Sequence, residues 1–238
     1  MRSPYTLTRT LAMAFAVMVS LSSCQEFFTS SFATVLARDS YPIPADMSVD
    51  QAIEYLELSN GDPTIAAALV TPLYEAASSA DPASDDYDEA AAALVSAVVL
   101  SSGASPAIFS IVGDVGIENF GSLDAAQIDA ALATLMTISL TDEEAAALAL
   151  VSGNAAPDGA APDEMFMAAF TLAVDAFNDG GATTAELDTW LGGGALPGTV
   201  DGPTITAAMD LLTLAQDLDT ANGNTSIFGQ LMTSIGFD

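Results

Sequence analysis

Helix starts recur along this chain so closely that little room is left for any other kind of structure. Ser48-Val49-Asp50-Gln51 has the form of a capping box, in which two side chains satisfy orphan backbone amides. Ala52, Ile53, Tyr55, Leu56 and Leu58 then share a helical face. Asp62-Pro63 supplies a cap and a first-turn proline for a helix through Ile65, Leu69, Leu73 and Tyr74, which Pro72 should kink or break. Asp85 or Asp86 should start an alanine-rich helix from Tyr87 to Leu100, and Ser105-Pro106 a short one. Ser122 should cap a helix running to Ile138. Thr141-Asp142-Glu143-Glu144 and Thr183-Thr184-Ala185-Glu186 are two further capping boxes, and Gly153 is a natural stop for the helix that the first of them opens. Asp163 to Asn178 reads as a strongly apolar helix, Gly202-Pro203 opens another, and a last one spans Ser226 to Ile235.

Runs of alternating β-branched residues are missing, so the expected class is all-α. Short connections favour neighbours packed as antiparallel hairpins, giving an irregular bundle of about ten short helices. The charge-free interval Ala90 to Gly113 is long enough to cross a membrane, but Ser101, Ser102, Gly103, Ser105 and Pro106 interrupt it, which fits two buried helices and a turn. Gly192 to Pro203, with five glycines and two prolines, is the one long irregular stretch and reads as a loop or a hinge. The expected organisation is a leader over 1–23, a tether with a short helix over 24–47 and a single helical domain over 48–238, with the loop or hinge at 192–203 inside it.

Two segments resemble the second helix of a tetratricopeptide unit. Asp86-Tyr87-Asp88-Glu89-Ala90, followed by Leu94 and Ala97, matches that helix's opening and its aromatic and small-residue slots, and Ala52-Ile53-Glu54-Tyr55-Leu56 is similar. The helices that precede them lack the expected tryptophan, leucine-glycine and tyrosine positions, and Pro82 interrupts. The resemblance implies helical hairpins that present a groove.

The N-terminus speaks to location. Arg2 and Arg9 precede an uncharged apolar run from Leu11 to Val19, which closes on Leu21-Ser22-Ser23-Cys24. This resembles a bacterial lipobox: an aliphatic residue, two small ones, then cysteine. The resemblance implies that Cys24 is diacylated on sulfur, becomes the first residue after cleavage, and anchors the protein in the cell envelope, with Gln25 favouring the outer membrane. Cys24 is the sole cysteine of the chain, so a lipidated protein has no thiol for disulfides, metal sites or nucleophilic chemistry.

From Cys24 onward one base, Arg38, faces 32 acids, a formal charge of −31. Such a surface repels nucleic acid and anionic lipid, because no cation is there to displace counterions. It also repels itself, which high salt relieves by shortening the Debye length. Asp outnumbers Glu 22 to 10 and lysine is absent, a pattern resembling proteins of saline habitats. With 51% hydrophobic residues the chain nonetheless lies far from the composition of disordered proteins.

Without histidine, lysine or a free cysteine, serine triads, Schiff bases, imidazole zinc sites and thiol chemistry are excluded, and no catalytic residues are assigned. Carboxylate pairs remain, but 32 acids guarantee proximity without function. One stretch, Asp175 to Glu186, resembles a twelve-residue EF-hand calcium loop. Asp175, Asp179, the turn at Gly180, Thr183 and Glu186 fall at positions one, five, six, nine and twelve. Phe177 stands where position three needs a ligand, and the same residues also serve as a helix stop followed by a cap. The Met and Phe residues between Met165 and Phe177 read as core, and theirs is the helix expected to line any pocket.

These readings converge on a lipid-anchored, acidic, helical binding or scaffolding module of the bacterial envelope, non-enzymatic and without a cofactor. It is held to a membrane by its lipid and meets a protein partner or a small apolar ligand. A structural envelope lipoprotein without a ligand is the rival. A third reading follows from the tetratricopeptide resemblance: an accessory lipoprotein of a periplasmic solute transporter.

Overall fold

The computed structural model describes residues 47–115, 125–191, 193–223 and Ser226. Among the described residues the protein is all-α, with nine helices and no strand: α1 (Val49–Leu58), α2 (Pro63–Ser79), α3 (Asp85–Ser101), α4 (Ala104–Val115), α5 (Ala125–Leu135), α6 (Asp142–Ser152), α7 (Pro162–Asp179), α8 (Thr184–Leu191) and α9 (Gly202–Ala221). The lipobox, the tether over 24–47 except Met47, the cap at Ser122 and the helix expected after Ser226 lie outside the described residues.

The caps form as their chemistry requires. Ser48 and Gln51 close the capping box of α1, and Thr141 and Glu144 that of α6. Asp62 accepts a 2.8 Å bond from the Thr64 amide, and Asp201 caps α9 through Thr204. Three expectations are corrected. The cap of α3 is Ser84, whose hydroxyl accepts from the Tyr87 amide, so the helix includes both Asp85 and Asp86. α4 begins at Ala104, one residue ahead of Ser105-Pro106. α2 runs unbroken through Pro72: the carbonyl robbed of its donor belongs to Ala68, an exposed residue, where water can replace the missing bond.

α7 is the axis of the core. Twelve of its residues are buried, including the unbroken run from Thr171 to Phe177, so it is enclosed on every side rather than along one stripe. α9 packs along it through Ile205, Ala208, Leu211 and Ala215, at the spacing of one helical face. α2 and α3 form the other extensive pair, an adjacent hairpin closed by Leu69, Leu73, Leu94 and Val98. α6 bridges the two pairs through Ala147, Leu148 and Val151. Because α7 pairs with α9 across the intervening α8, the bundle is irregular rather than a stack of sequential hairpins. α8 is fixed on α7 by Trp190 against Phe177, with ring centroids 5.2 Å apart. The apolar stretch around Ala90–Gly113 folds as α3, a turn at Ser102-Gly103, and α4. Among the described residues no helix is long and apolar enough to cross a membrane.

One junction leaves no space. A Cβ on Gly180, at the end of α7, would stand 2.9 Å from the Thr199 carbonyl oxygen and 3.0 Å from the Val200 Cα. Gly180→Ala must push the backbone leading into α9 aside. It is expected to destabilise the protein by about 1–3 kcal/mol, read as a lower urea midpoint with an unchanged m-value.

The described residues hold no lysine, arginine or histidine, so no ion pair offsets repulsion among their carboxylates. Raising NaCl from 0.01 to 1 M shrinks the Debye length from about 30 to about 3 Å. The Tm is expected to rise by at least about 3 °C, which corresponds to about 1 kcal/mol in a domain of this size. Scanning calorimetry checks it, and a flat or falling Tm contradicts the repulsion argument.

Candidate functional site

Among the described residues, a cleft of about 610 Å³ lies between α1, α3 and the start of α7. Its apolar part is Ile53 and Leu56 from α1 with Ala92 and Ala93 from α3. Leu56 follows Ile53 by three residues, so α1 turns an apolar pair to the opening, while the lining face of α3 carries Asp85, Glu89, Ala92 and Ser96. Six of the twelve lining residues are acidic: Glu57, Asp85, Asp88, Glu89, Asp158 and Glu164. Ser96 donates a 2.5 Å bond to Glu164 Oε2, joining α3 to α7.

Helix ends explain how so many carboxylates are tolerated without a cation. Asp85 and Asp88 lie in the first turn of α3 and Glu164 in that of α7, where unpaired amides and the helix dipole stabilise negative charge. Each N-terminus is worth about half a positive charge, so two of them leave the cleft about five charges negative. Glu57, Asp85, Glu89 and Asp158 are exposed and Asp88 and Glu164 half-buried, so the acids form a rim over the alanine floor. Behind that wall Tyr87 is buried. Burial raises its pKa, the neighbouring Asn154 side chain draws it part of the way back, and Asp88 raises it again. Its hydroxyl nevertheless has no hydrogen bond of acceptable geometry.

A second group of acids surrounds the connection between α5 and α6. Asp175, on the innermost part of α7, is only 4% exposed and accepts a 2.7 Å bond from the Leu140 amide. Asn178, one turn on, donates to the Ile138 carbonyl at 2.7 Å. Together they clamp residues 138–140 onto α7. Glu144, also buried, accepts from the Thr141 amide at 2.7 Å, from the Thr141 hydroxyl at 3.0 Å and from Ser101. Burial raises the pKa of Asp175, the Leu140 bond opposes the rise, and Asp179, Glu144 and Asp142 add to it.

The residues of the calcium-like loop are thereby distributed among other tasks. Asp175 turns inward to Leu140. Thr183 and Glu186 form the capping box of α8, with Glu186 Oε2 accepting from the Thr183 amide at 2.8 Å and from its hydroxyl at 2.9 Å. Those bonds hold the exposed Glu186 carboxyl below its usual pKa. Gly180 keeps a helical φ of −69°, and Gly181, one residue later, takes the left-handed turn at φ 63°. Among the described residues no three acidic side chains gather as a metal-binding group. Cys24 lies outside the described residues.

The expected pocket helix is corrected. Met165, Phe166 and Phe177 are core, and α7 gives the cleft only Glu164, from its first turn. From Met165 onward α7 is packed against its neighbours, so only its first turn reaches the cleft. The cleft falls where shorter α1 leaves the flank of α3 uncovered. The sequence signal that marks it is the acidic cap segment Asp85–Glu89, which also carries the tetratricopeptide likeness.

No protein-family model, curated protein or solved structure matches this chain.

A raised native pKa for Asp175 means that its stabilising contribution is fully present below the unfolded carboxyl pKa of about 3.9 and is lost as pH rises through the native value. Asp175→Asn mimics the neutral form and removes that loss. The variant is therefore expected to gain on the wild type as pH rises from 4 to 7. Thermal melts of both proteins across that range check it, and a difference independent of pH refutes it.

Proposed function

We propose that this chain is a lipid-anchored binding module of a bacterial envelope, attached to a membrane through Cys24 and meeting a cationic partner in the cleft between α1, α3 and α7. The observation that carries the reading is the cleft itself. An apolar strip stands beneath six carboxylates, and no cation of the described chain neutralises them. A structural envelope protein needs an acidic surface but no concavity with apolar side chains at its floor. The cleft therefore supports binding over a ligand-free role.

Anchoring follows from the lipobox resemblance of Leu21-Ser22-Ser23-Cys24, and several acyl chains exceed the two signals that stable attachment requires. Cells fed an alkyne analogue of palmitate are expected to label the wild-type protein and not Cys24→Ala. In the same cells, crosslinking of wild type and of an Asp88→Asn/Glu89→Gln variant, read by mass spectrometry, tests the cleft. A partner enriched with the wild type and lost with the variant supports the reading. Enrichment that ignores the variant counts against it.

A further inference from the structure

We propose that α5 and the segment joining it to α6 form a strap that opens independently of the core, latched to α7 by Asp175 and Asn178. The strap is separate from the cleft, whose lining includes no residue of α5, of α6 or of the segment between them. Packing sets it apart. α7 pairs extensively with α9 and α2 with α3, whereas α5 packs chiefly on α4 and α8 and has no extensive contact with the other helices. Among the described side chains of the strap, Leu132, Leu135 and Ile138 are the buried apolar ones. A segment with so few buried anchors opens at a lower free energy than the body it covers.

Two hydrogen bonds supply further hold, and both reach the innermost helix. The Leu140 amide donates to Asp175 at 2.7 Å, and the Asn178 side chain donates to the Ile138 carbonyl at 2.7 Å. Immediately beyond them Thr141 is fixed as the cap of α6, which makes residue 141 the pivot of the strap.

One half of this latch carries charge. The closed strap keeps the Asp175 carboxylate from water, and the described residues hold no base to pair with it. The charged groups that face it are all acidic: Asp179 on α7, with Glu144 and Asp142 at the start of α6. Burial raises its pKa, the Leu140 bond offsets part of the rise, and those three acids add to it. Opening admits water to the carboxylate and so favours its ionised form. The closed strap is therefore most favoured below the ordinary carboxyl pKa of about 3.9. Its hold weakens as pH rises through the value of the closed state. Acid keeps Leu132, Leu135 and Ile138 covered, and neutral pH exposes them more often.

Hydrogen exchange of the full acylated protein in detergent, read by mass spectrometry and corrected for the intrinsic pH dependence of exchange, tests the strap. Peptides from 125–141 are expected to open more often than those of α7 and α9 at every pH from 4 to 8. Their opening should rise at least about threefold across that range, where linkage to one proton permits up to about tenfold per pH unit. The rise should vanish in Asp175→Asn. Asn178→Ala removes the uncharged half of the latch; it should increase opening about fivefold at each pH and leave the rise in place.

Exchange of 125–141 in step with α7 and α9 overturns the strap, because the helices then open only as one body. A wild-type response that is flat with pH, or a rise that persists in Asp175→Asn, overturns the role of the carboxylate in the latch. If Asp175→Asn fails to fold, Asp142→Asn/Asp179→Asn removes two of the charges that face the latch and should shrink the rise. An undiminished rise in that variant also overturns the proposal.

Discussion

From residue 47 to residue 223 this protein has no basic side chain, so every buried or half-buried carboxylate has to be held by a neutral donor. Asp175 is held by a backbone amide, Glu144 by an amide and two hydroxyls, Glu164 by a serine, and the buried Asp219 by the Ser226 amide at 2.8 Å. This solution avoids immobilising long cationic side chains, and it places the acids where backbone amides are free: at helix starts and at the edges of loops. Glu144 and Glu164 sit in the first turns of α6 and α7, whereas Asp175 and Asp219, late in their helices, reach amides of neighbouring loops.

The second determinant is α7. Burial on all sides requires that its few polar groups be satisfied locally, and they are. Thr171 returns its hydroxyl to the Met167 carbonyl at 2.7 Å, while Asp175 and Asn178 reach the 138–140 segment. The core is consequently tied to a loop through polar contacts as well as through packing, and the other helices are arranged around a rod whose orientation those contacts restrict.

Much of the fold is legible in the sequence because capping is local. Ser48 and Gln51, Thr141 and Glu144, and Thr183 and Glu186 each signal a helix start over four residues, without reference to the rest of the chain. The same locality limits the reading. Asp175 to Glu186 has a spacing shared by a calcium loop and by a helix stop followed by a cap, and only the distant Leu140 amide reveals where Asp175 points. Pro72 looks like a break until the exposure of Ala68 shows that its unpaired carbonyl can reach water. The cleft is only partly legible for a related reason. Its lining comes from α1, α3 and the approach to α7, segments whose meeting depends on tertiary packing, so the acidic segment Asp85–Glu89 marks one wall and leaves the others unspecified.

The contact of Gly180 with the backbone at Thr199 and Val200 sets the alignment of the two longest helices. An α-helix rotates about 100° for each residue it advances. A slip of one position along α7 would turn Ile205, Ala208, Leu211 and Ala215 away from the core and bring exposed Asp210 or Asp217 towards it. By abutting the chain just ahead of α9, the glycine acts as an index stop that fixes the phase of the interface between the two helices.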